Sequence, residues 1–563
     1  MTAGEAIVHI LVKEGITHAF GIPGAGINGF YKYLKDAPIT HYLMRHEEAA
    51  VHAAGAYCRA SGRMALAVAT SGPGATNFVT GIYTAWIDSV PLIALTGQAA
   101  AALLGKGAFQ CADIAEIVKP VVKKAWCVTD AAAVPQVFCD AFKTARSGRP
   151  GPVLIDLPLD VQLADIPFEP ASYEAGTIEK PLEPDMAGIS AALDLLEEAE
   201  HPVIIMGGGV ILGGAENYLR EFAEYTGIPV LTTYMAKGGI PERHPLYAGQ
   251  IGIQCGAAST GNSVFLAADA VLAVGCRFTD RHTGNTAVYQ GQRRFIHVDI
   301  DRNELGKIIK PEIPIHADAA LALKALTAAA KARGHALKKH GTLPAVPFHE
   351  TRRAYRPEPD KNRKIIDPRE VFAIINRVFD DETIFTTGCG LTQIWSGQYQ
   401  IINKPRTYLP SGGAGTLGFD IPAAIGASVA TGRKAVAVMG DFGFTFLAEE
   451  LAVASRWNLP VAVIIINNAC LSLIRQNQKY AYDYEYAVSV KENNGFIDYI
   501  KAARAFGCDA KRAHTYEEAE AALVWAAASK APVVVEIMAD PETDCDMGGD
   551  LAHIRRFAGS PAR

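Results

Sequence analysis

The feature that most constrains this chain is a recurring pair: an apolar run that ends in glycine, then a helix-like stretch. "MALAVATSGPG" (64–74), "HPVIIMGGG" (201–209), "DAVLAVGCR" (269–277) and "KAVAVMGD" (434–441) all have this form. A strand buried on both faces reads as a continuous Val, Ile, Leu and Ala run, and parallel neighbours need a crossover between them. The pattern predicts βα units and parallel sheets, an α/β chain. Two weaker echoes point to repeated blocks. A helix runs into an apolar residue, a proline and a strand at "DSVPLIAL" (88–95), "TGIPVLTT" (226–233) and "WNLPVAVIII" (457–466). "GPVLIDLP" (151–158) and "APVVVEIM" (531–538) both read as late strands ending in an acidic residue. Three Rossmann-like domains of similar build account for these echoes.

The chain has 563 residues, enough for three or four domains at roughly 150 residues each. Composition sets the boundaries. Residues 166–185 are rich in proline and glutamate, and 336–366 in charge and proline, so both read as linkers. The expected organisation is an N-terminal domain over 1–165, a central domain over 186–335, a C-terminal domain over 367–545 and a tail over 546–563. The basic residues of the second linker are interrupted by acids and prolines, which reads as a solvated segment. A net charge of −6 argues against nucleic acid and an anionic membrane as partners. Ten cysteines without a CxxC pair suggest reduced thiols in a cytoplasmic protein rather than disulfides or a zinc site. "MTAGEAIVHILVKEG" reads as an amphipathic helix carrying Glu5 and Lys13, not as a secretory signal. No apolar run reaches the roughly 18 residues of a membrane span.

The chemistry is concentrated in three stretches. The first is "GDFGFTFLAEELAVASRWNLPVAVIIINNACLSLIRQ" (440–476). Asp441 and Asn468 lie one βαβ unit apart, and strand C-termini sit side by side in a parallel sheet, so both side chains can converge at its ligand-binding edge. A carboxylate, an amide oxygen and a main-chain carbonyl form a hard-oxygen set of the kind Mg²⁺ takes together with phosphate oxygens. Gly440 and Gly443 let backbone N–H groups approach an anion. The plainer alternative is a capping aspartate and a turn-forming asparagine pair. The second stretch, "LMRHEEAAVHAAGAYCRASG" (43–62), places Glu47 at the start of an alanine-rich helix, where the helix dipole alone favours an acid. The third, "TSGPGATNFVTGIYTAWIDS" (70–89), is a strand, a tight turn and a helix, without the GK[ST] of a phosphate-binding Walker loop.

Taken together with "FQCADI", "SGRPGPVLIDLP", "GCRFTDRHTGN" and "GTLGFDIPAAIGA", these stretches resemble the thiamine diphosphate (ThDP) enzymes of the acetohydroxyacid synthase and glyoxylate carboligase group, over nearly the whole chain. The resemblance implies pyrimidine-binding, central FAD-type and diphosphate-binding domains. It implies that Glu47 bonds the aminopyrimidine ring of ThDP in a site with little water, and that Gln110 shares the catalytic centre with it. Ile22, Pro73 and Asn77 are implied to lie near that centre. Cys389, Gly415, Leu417, Gly440, Phe442 and Gly443 are implied to contact ThDP, with Leu417 as the wedge that bends it and Gly415 presenting a carbonyl. Asp441, Asn468 and the main-chain carbonyl of Cys470 are implied to ligate Mg²⁺. For a largely structural FAD the implied contacts are Arg149, Gly207, Gly208, Gly209, Thr233, Gly275, Arg277, Arg281, Asp299, Ile300 and Asp318. Because Glu47 and the diphosphate site fall in different domains, the resemblance also implies a homodimer or homotetramer with active sites at the dimer interface.

The implied reaction is decarboxylation of a small 2-oxo acid and joining of the resulting enamine to a second aldehyde or 2-oxo acid. Two glyoxylates would give tartronate semialdehyde and CO₂. "GDF" in place of "GDG", and Asn477 where acetohydroxyacid synthases carry a tryptophan, resemble glyoxylate carboligases. Glu47 departs from them, because they carry a valine there. Acetolactate synthesis from pyruvate is the second reading. A flavin-dependent oxidase or a non-catalytic cofactor-binding protein of the same fold is the reading from another class.

Overall fold

The computed structural model describes residues 1–176, 180–256, 260–334, 364–490 and 497–556. Most of the expected second linker therefore lies outside the described residues. Three six-stranded sheets, each wholly parallel, carry the chain. The N-terminal sheet contains β1 (His18–Gly21), β2 (Thr40–Leu43), β3 (Leu66–Ala69), β4 (Leu92–Gln98), β5 (Lys124–Cys127) and β6 (Pro152–Pro158), in the order β2-β1-β3-β4-β6-β5. The C-terminal sheet contains β13 (Ile384–Thr387), β14 (Tyr408–Pro410), β15 (Ala435–Gly440), β16 (Val461–Asn467), β17 (Asp509–Ala513) and β18 (Val533–Met538). Its order, β14-β13-β15-β16-β18-β17, repeats the N-terminal topology strand for strand.

The central sheet differs. Its strands are β7 (Pro202–Met206), β8 (Val230–Thr232), β9 (Tyr247–Gln250), β10 (Ala270–Val274), β11 (Arg294–Asp299) and β12 (Ile313–His316), ordered β12-β11-β10-β7-β8-β9. The expected similar build thus holds for the two outer sheets, while the central one has the order of a doubly wound sheet with its switch point between β7 and β10. Two crossovers leave in opposite directions there and open a crevice at the strand ends.

The acidic echo is a structural repeat. Asp156 on β6 pairs in register with Thr96 on β4, and Gln98, two residues on, donates to Asp156 Oδ2 at 2.9 Å. Glu536 on β18 pairs with Ile465 on β16, and Asn467, again two residues on, donates to Glu536 Oε1 at 2.7 Å. Both carboxyls are buried, and each ties the mouth of its sheet across two adjacent strands. Burial pushes the Asp156 carboxyl up to about 7 against the bonds from Thr96 and Gln98.

Residues 546–556 begin the expected C-terminal tail. They form an antiparallel hairpin, β19 (Asp546–Gly548) and β20 (Ile554–Arg556), and Leu551 and Ile554 join the apolar cluster beneath the central sheet with Phe278 and Phe295. Among the described residues no helix is long and apolar enough to cross a membrane. All ten cysteines are unpaired.

Candidate functional site

At the mouth of the N-terminal sheet, the helix Glu47–Ser61 starts on an extended His46, whose ring accepts the N–H of Glu48. Glu47 is half-buried. Its Oε2 accepts the side-chain amide of Asn77 at 2.9 Å. Asn77 closes the short helix Pro73–Thr76, which begins after Gly72 at φ +60°. Gln110, itself at φ +53°, abuts that turn: a Cβ on Gly72 would lie 2.8 Å from Gln110 Cβ. Gln98 anchors the same loop through the carbonyl of Ala112. Thr70 Oγ1 accepts the N–H of Gly26, and Ile22 N–H bonds Val68. The structure therefore brings Glu47, Pro73, Asn77, Gln110 and the segment after Ile22 to one sheet edge. Gln110 and Pro73 are exposed in the single chain.

The C-terminal sheet presents the second group. Gly440 ends β15 and Asp441 begins a one-turn helix, so its carboxylate stands at the strand's carboxyl end. The nearby main-chain N–H groups of Phe442 and Ala469 favour the Asp441 carboxylate, but burial outweighs them and pushes its carboxyl up to about 7. Among the described residues its buried Oδ2 has no hydrogen-bond partner. The two adjacent asparagines divide their tasks. Asn467 is structural, donating to Glu536 and accepting the N–H of Ala469, a residue held at φ +53°. Asn468 donates its Nδ2 to Ser472 Oγ at 2.5 Å, which turns its amide oxygen the other way. Ser472 in turn donates to the carbonyl of Cys470 at 3.1 Å. Leu417 reaches the same loop: a Cβ on Gly443 would sit 3.8 Å from Leu417 Cδ2. Gly415 (φ +61°) lies beside Cys389, and Phe442 packs edge-on against Phe446 at 5.5 Å.

Between the three domains lies a cavity of about 490 Å³. Arg149, Gly208, Gly209, Thr233, Gly275, Arg277, Arg281, Asp299, Ile300 and Asp318 all line it. Gly207 does not. Its place is a backbone crossing, where a Cβ would meet the carbonyl of Gly275 at 2.0 Å, so the glycine run is a tight strand-to-helix junction and not a flexible turn. Asp318 also caps the helix Ala319–Arg333. Arg149 is braced by Ser89 at 2.8 Å and Glu304 at 3.2 Å. Burial pushes Asp299 up to about 6. Sequence reasoning missed Arg59, Arg146 and Arg406, which bring further cations to this wall. They come from distant segments of two other domains, and no local motif marks them.

Sequence reasoning also missed Glu450. It is fully buried, and its Oε1 accepts the main-chain N–H groups of Arg45 and His46, each at 2.9 Å. Its signal is faint: an acid inside "FLAEELAV", ten residues after Gly440, where the Asp441 turn starts.

Comparison with known proteins bears on these groups. Residues 1–117 match the N-terminal TPP binding domain of thiamine pyrophosphate enzymes, 189–326 their central domain and 388–537 their C-terminal TPP binding domain. The chain belongs to the thiamine pyrophosphate enzymes. It is 40% identical over 580 residues to a glyoxylate carboligase of Escherichia coli, covering 99% of this chain and 96% of that one. It is 38% identical over 581 residues to a probable acetolactate synthase large subunit of Methanocaldococcus jannaschii, with 98% and 95% covered. An acetolactate synthase large subunit of Corynebacterium glutamicum is 38% identical over 531 residues, with 92% and 83% covered. These relatives place the chain on the ThDP-dependent carboligase branch of the family.

Proposed function

We propose that the protein decarboxylates glyoxylate and joins the retained fragment to a second glyoxylate, giving tartronate semialdehyde and CO₂. The observation that carries the carboligase reading is the coexistence, in one chain, of Glu47 bonded to Asn77 and a buried carboxyl oxygen on Asp441 that has no partner among the described residues. The likeness to a glyoxylate carboligase, Phe442 and Asn477 support glyoxylate as substrate.

The residues fit the implied groups. An anionic oxygen removed from water without a donor is costly unless a cation meets it. Asp441 Oδ2, the turned amide oxygen of Asn468 and the Cys470 carbonyl would hold Mg²⁺ against a diphosphate. ThDP, when bound, supplies the electron sink for the carbanion that decarboxylation leaves. Glu47 would hold or release a proton at Oε1, the oxygen that Asn77 leaves free. Leu417 would give the cofactor an apolar wedge between the two halves of its site. The central cavity falls within the range of cofactor sites, roughly 300–1,000 Å³, and its arginines suit a diphosphate, so FAD is the ligand proposed for it.

We read the protein as at least a homodimer, in which one subunit's Glu47 serves the other's Asp441 site. Phe109, next to Gln110, is 86% exposed in the single chain, as expected of a side chain that a second subunit covers.

Glu47 itself supports the second reading, acetolactate synthesis from pyruvate. The deciding experiment incubates purified protein, ThDP, Mg²⁺ and FAD with glyoxylate, pyruvate, 2-oxobutyrate and formaldehyde, singly and in pairs, and identifies products by mass. Tartronate semialdehyde from glyoxylate alone supports the proposal. Acetolactate from pyruvate, with no product from glyoxylate, supports the second reading. Peroxide formation without a new C–C bond sinks both.

A further inference from the structure

The "TSGPGATN" segment has a task that its family reading does not contain. Two glycines flank Asn77: Gly81 lets its helix approach the one that begins at Glu47, and Gly74 leaves room for the Glu47 carboxylate. A Cβ on Gly74 would lie 3.2 Å from Glu47 Oε1 and 2.9 Å from Thr70 Cγ2. A Cβ on Gly81 would lie 2.6 Å from Val51 Cβ and 3.1 Å from the carbonyl of Glu48. The Gly81 contacts are short enough to force the two helices apart, while a Cβ on Gly74 would crowd Glu47 Oε1 and Thr70 of its own segment. With glycine at both places, Asn77 comes within a 2.9 Å hydrogen bond of Glu47 Oε2. Asn77 is itself held, because its N–H bonds the carbonyl of Pro73 at 3.0 Å. A carboxylate bonded through one oxygen and flanked by backbone at the other loses most of its torsional freedom.

We propose that Asn77 is a positioning residue: it grips Glu47 through Oε2 and presents Oε1 as the working oxygen, rather than touching the cofactor itself. This inference rests on the reading of Glu47 as the group that exchanges a proton with bound ThDP. It gives the turn a catalytic purpose that a generic glycine-proline turn lacks, and explains why glycine stands at 74 and 81 on either side of the amide.

The test uses the full chain loaded with ThDP and Mg²⁺, and reads three quantities: C2-proton exchange of bound ThDP against pH, ThDP affinity and melting temperature. Asn77→Ala is expected to bind ThDP within about threefold of the parent and to melt near it, while exchange slows about 10- to 100-fold, the worth of one hydrogen bond to a charged group. Asn77→Asp, nearly isosteric, carries the test if the alanine variant does not fold. It removes the donor and sets a second carboxylate beside Glu47, so its exchange slows and the rise of rate with pH moves to higher pH. Parental exchange in Asn77→Ala overturns the proposal, and so does a loss of ThDP affinity as large as the loss of exchange rate, which would make Asn77 a cofactor contact. Glu47→Gln, measured in parallel, separates the two layers. Slow exchange in Glu47→Gln beside parental exchange in Asn77→Ala sinks only the positioning role. Parental exchange in Glu47→Gln sinks the reading of Glu47, and this one with it.

Discussion

The buried carboxyl group of Glu450 accepts the main-chain N–H of His46 at 2.9 Å, tying the C-terminal domain to the residue that precedes Glu47. It bonds Arg45 N–H in the same way. Burial pushes the Glu450 carboxyl up to about 8, so the folded protein binds a proton there that the unfolded chain releases near pH 4.5. Between about pH 4.5 and 8 this group makes stability fall as pH rises, by at most about 1.4 kcal/mol per pH unit. Glu450→Gln keeps an acceptor and removes the titration. Denaturant unfolding from pH 5 to 8 is expected to show a flatter stability profile than the parent's. Glu450→Ala leaves both N–H groups without an acceptor and is expected to cost about 2 kcal/mol or more.

Gly426 and Ala53 mark the contact between the two outer domains. A Cβ on Gly426 would sit 2.0 Å from the Ala53 carbonyl, in the packing of the helices Asp420–Thr431 and Glu47–Ser61. Backbone cannot yield as a flexible side chain does. Gly426→Ala is expected to destabilise by about 1–3 kcal/mol, read as a lower melting temperature. An unchanged melting temperature would show that the helices do not pack this closely.

The C-terminal hairpin is held at Gly284 (φ +57°), where a Cβ would lie 2.5 Å from the Gly549 carbonyl, and by the bond from Asn285 N–H to that same carbonyl at 2.9 Å. Gly284→Ala combines backbone strain with a clash. It is expected to free the hairpin, so that limited proteolysis trims the C-terminus of the variant faster than that of the parent.

Arg281 lines the central cavity and contacts Met547 Sδ of the hairpin at 4.0 Å. Arg281→Met keeps much of the stem and removes a cation. If the cavity holds FAD, the variant is expected to purify with less flavin and to need about tenfold or more FAD for half-saturation. Equal flavin retention would remove Arg281 from the site.

The dimer reading gives a complementation test. Glu47→Gln and Asp441→Ala are each expected to lose activity. Co-expressed in equal amounts, half of the dimers are mixed, and each mixed dimer carries one intact site when the two residues belong to opposite subunits. About a quarter of the parental activity should return. No return would place Glu47 and Asp441 in the same chain's site.

The alternation of glycine-terminated runs and helices was enough to read three parallel α/β blocks. Strands buried on both faces can only be continuous apolar runs, so "VAVIII" announces β16 without help from the rest of the chain. Asp441 and Asn468 were legible for a related reason: one βαβ unit returns the chain to the same sheet edge. What the sequence left open is whatever depends on contact between segments remote in the chain. The different strand order of the central sheet, the division of labour between Asn467 and Asn468, the grip of Glu450 on the turn before Glu47 and the arginines brought to one cavity from three domains have no local periodicity to reveal them. They arise from packing, where side chains meet partners hundreds of residues away, and only the tertiary structure decides which.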